Sequence, residues 1–142
     1  MKKIYFLIKL FFIYLLCIFP LLGEESKYFN DGKKLFLKDD FEGSKFLFEK
    51  DIVQNPKSEM SYLYLAKIFE NEENEEYEEL NLNTVLLLNP KNEEAIYKLI
   101  LLKIKQSDFA NAKELLEKFN LVCASICNKN EEIRKKLKNL SP

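Results

Sequence analysis

The chain has 142 residues and a formal net charge of −1, and it contains no histidine, no tryptophan and three glycines. This length suits one compact domain, and the mildly acidic balance argues against nucleic-acid binding, for which a basic stripe is expected. The lack of histidine excludes catalytic arrangements built on imidazole, and three glycines leave no Gly-rich phosphate-binding loop. Nearly all basic residues are lysine, and together with the many asparagines this bias suggests an AT-rich bacterial genome.

Residues 1–23 have the outline of a secretory signal peptide. A basic N-terminus is followed by an uncharged apolar run over residues 10–22, and Gly23 is the small residue that precedes an acidic pair. We expect cleavage after Gly23 and export to the periplasm or cell envelope, which changes the net charge of the remaining chain to about −4. The alternative is an inner-membrane anchor over residues 4–22, with Lys9 near the interface.

Two helices joined by a short turn are predicted at the start of the domain that follows. In the first, over residues 26–38, apolar residues recur at helical spacing and form one stripe. Asp40 is well placed to cap the second helix. The inner face of that helix is predicted to carry Phe41, Ser44, Phe48 and Ile52. Such a pair cannot bury both of its faces alone and needs neighbours on each side.

A short sequence motif occurs twice, as Asn55-Pro56-Lys57-Ser58-Glu59 and as Asn89-Pro90-Lys91-Asn92-Glu93, with the prolines 34 residues apart. The segment 40–45 is echoed at 108–113, at twice that interval. A fixed period of this length predicts an array of helical repeats. Each motif also predicts that one helix ends and another begins there, because proline cannot continue a helix and the serine or asparagine after it can cap the next helix.

Aromatic or large aliphatic residues, small residues and prolines recur at corresponding positions of this period. They are Tyr28, Gly32, Leu35, Ser44, Phe48 and Pro56, then Tyr62, Leu65, Ala66, Phe69 and Pro90, then Ile96, Leu99, Phe109, Ala112 and Leu116. In this pattern the chain resembles a tetratricopeptide repeat (TPR) protein, with repeats near residues 25–58, 59–92 and 93–126. The resemblance implies an all-α, right-handed superhelical array of about three helix-turn-helix hairpins and a C-terminal capping helix, seven helices in all. The small residues are expected where two helices cross closely.

Three positions depart from the pattern. Glu78 takes the place of Ser44 and Ala112, Ile100 that of Gly32 and Ala66, and Ala124 that of the prolines. For the second helix of the middle repeat, a shifted or opened segment around residues 75–82 is therefore the alternative to a regular helix. Residues 70–79 include seven glutamates, which we interpret as a solvated turn with acids at a helix start. The alternative is a docking patch for a basic partner.

The capping helix is predicted over about residues 130–140, with Ile133, Leu137 and Leu140 along one stripe and a charged outer face. A basic, membrane-contacting tail is the alternative interpretation.

The cysteines of the domain, Cys123 and Cys127, are too few for a zinc site in a chain without histidine. At helical spacing their Cα atoms would be about 6 Å apart, within disulfide range but with the sulfurs poorly oriented. We expect both to be ordinary residues of the buried face, beside Phe119 and Ile126.

No catalytic residue, metal site or cofactor is predicted. The carboxylates are expected on solvated faces, where nothing would raise a pKa for general acid chemistry. The leading hypothesis is a non-enzymatic adaptor or assembly factor of the periplasm or envelope that binds a protein or peptide. The alternatives are a structural, self-associating solenoid and a thiol-based redox protein.

The resemblance implies that the first helices of successive repeats line a concave groove. Positions one interval apart give two rows, an apolar row of Phe29, Leu63 and Tyr97 and a second row of Lys33, Lys67 and Leu101. We expect the apolar row to be an exposed strip that anchors a peptide or helix, with the lysines pairing one carboxylate. The alternative is that the apolar row packs against a neighbouring helix, or that the retained N-terminal segment or a terminal segment fills the groove. The groove lacks the fuller set of lysine and asparagine that the family's chaperone-tail clamp uses.

Overall fold

A computed structural model of the chain describes residues 25–140, which form seven α-helices and no strand. The helices are α1 (Lys27–Phe36), α2 (Phe41–Gln54), α3 (Glu59–Asn71), α4 (Glu75–Leu88), α5 (Glu93–Lys105), α6 (Phe109–Val122) and α7 (Lys129–Leu140). The predicted all-α array of seven helices is confirmed. The expected signal peptide or anchor lies outside the described residues. Between residues 25 and 140, no helix has the length and apolar character needed to cross a bilayer.

The helices pack in three successive pairs, α1 with α2, α3 with α4 and α5 with α6. Each pair also contacts the next one, and α7 packs against both α5 and α6. The helix around residues 75–82 is regular, so the helix predicted there is confirmed and the alternative of a shifted or opened segment does not apply. The shift is unnecessary because Asn74 caps α4, its side chain accepting a hydrogen bond from the Tyr77 N–H at 3.3 Å.

Within each pair, the turn is built in the same way three times. Asp39, Glu73 and Ser107 have φ near +60°, the left-handed conformation, although none is glycine. The amides of each such residue and of the next one bond back to carbonyls of the preceding helix, as Asp39 to Phe36 at 3.1 Å and Asp40 to Leu35 at 3.1 Å. These bonds satisfy the last carbonyls of the first helix of each pair.

The residue after each left-handed position caps the second helix of its pair. The predicted cap is confirmed for Asp40, whose carboxylate accepts from the Gly43 N–H at 3.0 Å, and Asp108 does the same for α6. In the turns between pairs, Asn92 caps α5 through the Ala95 N–H at 2.8 Å. Ser58 stands at the corresponding position but its side chain makes no cap bond, and its hydroxyl donates to Ser61 at 3.0 Å.

Small residues lie at the crossing of the helices in each pair, as expected. Gly32 is buried, and a Cβ placed there would meet the Phe48 ring at 3.0 Å. Ala66 and Ala112 are fully buried. Ile100, which departs from the pattern, is also fully buried, in the core between α5 and α6.

The core runs through the array as three clusters. The first contains Phe29, Phe48, Leu65, Ile68 and Phe69; the second Leu63, Ala66, Leu82, Val85, Ala95, Leu99 and Leu102; the third Ile96, Ile100, Ile104, Ala112, Leu116, Phe119, Ile133 and Leu137. Tyr28 is half-buried, and Pro56 and Pro90 are exposed in their turns. Ile133 and Leu137 belong to the third cluster, so α7 covers the end of the core.

Carboxylates tie neighbouring turns together along one edge of the array. Asp51 is buried and accepts hydrogen bonds from the hydroxyls of Ser26 and Ser61. Glu59 accepts from the side-chain amides of Asn89, at 3.0 Å, and Asn92. These bonds hold the turns between successive pairs in one line.

The segment between α6 and α7 corrects the expectation for the cysteines. α6 ends at Val122, so Cys123 and Cys127 lie in the following turn, where they form a disulfide with their Cα atoms 5.3 Å apart. The expected poor orientation assumed a continuous helix, which the structure does not have. Cys127 is exposed, whereas Ile126 and Cys123 are half-buried against the third core cluster.

The same segment is held by Glu93 from the start of α5. Its carboxylate accepts hydrogen bonds from the N–H groups of Ala124, at 2.8 Å, Ser125 and Ile126. The hydroxyl of Ser125 and these amides lower the pKa of Glu93 to about 2, because they favour its charged form. Ala124, at the position where the other turns have proline, supplies an amide donor that proline would lack.

Candidate functional site

The first helices of the pairs, α1, α3 and α5, form the surface that the resemblance implies as a groove; we call this surface the groove. The expected exposed strip does not lie on it. Phe29 and Leu63 are only 2% and 1% exposed. Phe29 packs against Phe48 and Tyr64, with ring centroids 5.7 Å apart in each case. Leu63 lies in the second core cluster.

Tyr97, the third member of the predicted row, is half-buried under α7. Its ring packs against Phe119, its hydroxyl donates to Glu132 at 3.3 Å, and the ammonium of Lys129 lies 5.5 Å from the ring centroid. The alternative that the row packs against neighbouring helices is therefore the correct one. The capping helix occupies the place at which Tyr97 was expected to meet a partner.

The accessible row of first-helix residues lies one position later in the sequence. Asn30 is exposed, and Tyr64 and Lys98 are half-buried, again at intervals of 34 residues. One residue in a helix is a rotation of about 100°, so a register error of one residue exchanges the buried side for the open one. The polar character of Asn30 and Lys98 is the sequence signal that would have identified this row.

Ion pairs join neighbouring first helices across the groove. Lys67 of α3 pairs with Glu94 of α5 at 2.7 Å, and Lys98 of α5 pairs with Glu70 of α3 at 2.6 Å. The ammonium of Lys67 also lies 4.7 Å from the Tyr64 ring centroid. The two pairs run in opposite directions, so each helix contributes one acid and one base. A partner carboxylate would therefore compete with Glu94 for Lys67.

Lys33 and Leu101 complete the predicted second row and remain accessible. Both are half-buried, and Lys33 has no acidic partner within hydrogen-bond distance among residues 25–140. Its ammonium lies 6.0 Å from the Phe29 ring centroid. Of the two lysines of this row, Lys33 is therefore the one whose charge is open to a partner.

A depression of about 400 Å³ lies on the groove side between the first pair and α3. It is lined by Phe36, Phe41, Lys67, Glu70, Asn71 and Lys98. The two phenylalanine rings pack edge to face at 5.5 Å, and Phe36 also contacts Tyr64. The aromatic rings of the depression thus face ion-paired side chains and the Asn71 amide. This lining suits an apolar side chain flanked by polar groups.

Glu78 corrects the expectation that nothing in the chain raises the pKa of a carboxyl. It is 5% exposed and lines a small cavity of about 80 Å³ with Glu70, Leu101, Leu102 and Lys105. Burial raises the pKa of Glu78 to about 7, and the nearby Glu70 carboxylate acts in the same direction, while Lys98 and Lys105 act in the opposite one. The carboxyl stands at a helix crossing where other repeats have Ser44 and Ala112. It has no hydrogen-bonded nucleophile or base beside it, so this geometry gives it no catalytic partner within residues 25–140.

The described fold is that of solved TPR domains. It is similar to the first TPR of Spaghetti (RPAP3) bound to an HSP90 peptide, with a TM-score of 0.72 and 16% identity over 81% of this chain and 94% of that one. It is also similar to the TPR2B domain of yeast Sti1 in a complex with pHsp70, at a TM-score of 0.70 and 17% identity over 80% of this chain and 98% of that one.

A third similar structure is the Yersinia enterocolitica type III secretion chaperone SycD in complex with a peptide of the translocator YopD. Its TM-score is 0.70, at 10% identity over 80% of this chain and 89% of that one. Identities this low establish the fold and nothing finer. No protein-family model matches the sequence, and no curated protein matches it.

Proposed function

We propose that this protein is a non-enzymatic interaction module that binds a protein or peptide segment along the groove, as an adaptor or assembly factor of the cell envelope. The observation that carries the proposal is the depression beside α1 and α3, where Phe36 and Phe41 face Lys67, Asn71 and Lys98. The three similar structures are complexes, two of them with a peptide and one with pHsp70, which supports this use of the fold.

The lining of the depression defines the kind of segment that fits. An apolar side chain of the partner would lie on the Phe36 and Phe41 rings, and the Asn71 amide would bond its main chain. One partner carboxylate would pair with Lys33, which has no acidic partner among the described residues. Because Lys67 and Lys98 are already paired, a densely acidic tail would have to break both ion pairs.

Export is proposed on two grounds. The first is the signal-like sequence of residues 1–23. The second is the Cys123–Cys127 disulfide, since disulfides persist in oxidising compartments such as the periplasm. Mass measurement of the native protein tests cleavage directly, because a chain that begins at Glu24 agrees with it and one that begins at Met1 contradicts it.

Partner capture with a matched pair of double variants tests the groove. Lys33→Glu with Asn71→Arg changes the groove, and Lys113→Glu with Asn83→Arg makes the same chemical changes at exposed positions of α6 and α4. We expect the immobilised groove variant to lose the envelope protein that the parent captures, and the control to keep it. All the changed residues are accessible, so the melting temperature should stay near that of the parent. Equal capture by both variants would remove the groove from the proposal.

Self-association remains a second candidate because of one specific surface. At the outer side of the first pair, Tyr28, Phe46, Lys50 and Val53 line an open depression of about 290 Å³. The ammonium of Lys50 lies 4.3 Å from the Phe46 ring centroid and 5.7 Å from that of Tyr28. No preceding helix covers this side within residues 25–140. End-to-end stacking predicts a mass by light scattering that rises with concentration in the absence of a partner, and a constant monomer mass excludes it.

A further inference from the structure

Glu78 places a buried carboxyl at the crossing of α3 and α4. It is 5% exposed, and none of the ion pairs within residues 25–140 includes it. The equivalent residues of the other pairs, Ser44 and Ala112, are small and neutral. Those two crossings form without an ionisable group, so the packing of the helices does not explain the carboxyl in the middle pair.

The surroundings of Glu78 adjoin the groove through Glu70. The cavity of about 80 Å³ beside Glu78 is also lined by Glu70 of α3 and Lys105 of α5. Glu70 lines the depression of the groove as well, and there its carboxylate pairs with the ammonium of Lys98 at 2.6 Å. Glu70 thus lies on the boundary between the cavity and the depression, and a charge on Glu78 acts directly on one wall of the depression.

Two acids and two lysines face the Glu78 carboxyl. The acids are Glu70 of α3 and Glu75 of α4, and the lysines are Lys98 and Lys105 of α5. Each lysine is already paired with one of these acids, Lys98 with Glu70 and Lys105 with Glu75 at 2.9 Å. The other ion pairs near α4, Lys45 of α2 with Glu72 and Lys103 of α5 with Glu79, do not line the cavity. An ionised Glu78 is therefore a third acid that competes for two lysines.

The charge of Glu78 changes near neutral pH. Burial raises the pKa of its carboxyl to about 7, and the Glu70 carboxylate acts in the same direction. The carboxyl is therefore neutral in mildly acidic solution and charged in mildly basic solution.

Of the two ion pairs beside Glu78, the pair of Lys98 with Glu70 is the more sensitive to this charge. The side chain of Lys98 is 16% exposed, whereas that of Lys105 is 55% exposed. Water screens exposed charges, so an ionised Glu78 attracts Lys98 more strongly than Lys105. Glu70 also shares the cavity with Glu78, and Glu75 does not line it.

We propose that Glu78 is a pH-sensitive switch of the groove. While its carboxyl is neutral, Lys98 stays paired with Glu70 across the groove. When the carboxyl ionises, it repels Glu70 and draws Lys98 toward the cavity, so the ion pair opens and the Glu70 carboxylate is free to face a partner. The depression therefore becomes more negative as the pH rises.

The switch sets which partner charge the depression favours. An acidic side chain beside Phe36 and Phe41 binds less tightly in mildly basic solution, and a lysine or arginine binds more tightly, because Glu70 is then unpaired. This consequence rests on the proposed function, since it concerns the partner in the groove. The switch itself is tested without a partner, so its failure and the failure of groove binding are distinguishable.

Carboxyl labelling of the full-length protein tests the switch. A water-soluble carbodiimide couples glycine ethyl ester to accessible carboxyls, and mass spectrometry measures the extent at each glutamate. Glu94 is the matched control for Glu70, because it forms the other ion pair across the groove, at 2.7 Å, and the two side chains are 43% and 46% exposed. The ratio of labelling at Glu70 to labelling at Glu94, taken at about pH 5.5 and about pH 8, removes the pH dependence of the reagent. Glu78→Gln and Glu78→Ser are the variants, since serine occupies this position in the first pair.

We expect the ratio to rise at least twofold between the two pH values in the parent and to stay constant in both variants. A constant ratio in the parent would overturn the proposal, and so would an equal rise in the variants. A rise at Glu75 in place of Glu70 would also overturn it, because Lys105 would then respond to Glu78 outside the groove. Loss of the helical circular dichroism of the parent at about pH 8 would have the same effect, because the labelling would then report unfolding.

Discussion

The hydroxyl of Ser44 donates a hydrogen bond to the main-chain carbonyl of Gly32 at 2.9 Å, across the crossing of α1 and α2. Both residues are buried, and the bond lets the two helices approach closely without leaving the serine hydroxyl unsatisfied. Ala112 occupies the equivalent position in the third pair, where it needs no such partner.

Replacement of Ala112 by leucine should therefore overpack the crossing of α5 and α6. We expect a loss of about 1–3 kcal/mol in the free energy of unfolding, measured by urea denaturation. Ala110→Leu, two residues earlier on the same helix, is the control, because Ala110 is exposed and should tolerate leucine. Equal midpoints for the two variants would show that the assigned repeat register is wrong.

Glycine at a left-handed turn position should stabilise the protein. Glu73 has φ of 56°, and a side chain there costs about 1 kcal/mol that glycine avoids. Glu73→Gly should raise the unfolding midpoint, whereas Glu73→Ala should not, since alanine removes the charge but keeps the Cβ. A midpoint that rises equally in both variants would attribute the gain to lost charge repulsion among the neighbouring glutamates instead.

Glu78 should make stability decrease as the pH rises from about 4.5 to about 7. In this window the folded protein keeps the Glu78 proton, because its pKa is raised to about 7, while the unfolded chain has released it. Glu78→Gln should remove this dependence. The free energy of unfolding of the variant minus that of the parent should therefore be higher at pH 7.5 than at pH 4.5, by on the order of 1 to 3 kcal/mol. The exposed residue Glu76, changed to glutamine, is the control.

Other carboxyls act at lower pH and with the opposite sign. The pKa of Glu93 is lowered to about 2 by the Ser125 hydroxyl and the turn amides, so the stability that Glu93 contributes is present above about pH 4.5 and is lost as the pH falls toward 2.

For Glu78, the contradicting outcome is a difference in the free energy of unfolding between the parent and Glu78→Gln that stays constant from pH 4.5 to 7.5. Glu78 would then not titrate as the structure indicates.

Removal of the disulfide should weaken the attachment of α7. A double change of Cys123 and Cys127 to serine opens a very short loop, for which a loss of about 2 kcal/mol is expected. Hydrogen exchange should then increase first in α7. A native protein whose two turn cysteines both react with a thiol reagent before reduction would contradict the bond itself.

The sequence pattern was sufficient for the fold because its period is carried by many residues at once. Two prolines, several small residues and the polar caps all repeat at one interval, so no single departure could change the architecture. Even Glu78, which suggested a disrupted helix, is accommodated by burial of one carboxyl at the crossing.

The groove was harder to predict because it depends on rotation about each helix axis. An error of one residue placed Phe29 and Leu63 on the open side, although both are in the core. The disulfide was missed for a related reason, since the end of α6 at Val122 depends on contacts with Glu93 that lie far away in the sequence. Local periodicity carries no information on either point.

Site-specific photo-crosslinking tests the central claim, partner binding along the groove, most directly. A photoreactive benzoylphenylalanine in place of Asn71 lies in the depression, and the same group in place of Asn83 lies on the exposed face of α4. Irradiation of the protein in native envelopes should give a discrete crosslinked species from position 71 and none from position 83, and it should disappear when Lys33→Glu is added. Crosslinking of the same partner from position 83, or its persistence in the Lys33→Glu protein, would contradict binding in the groove.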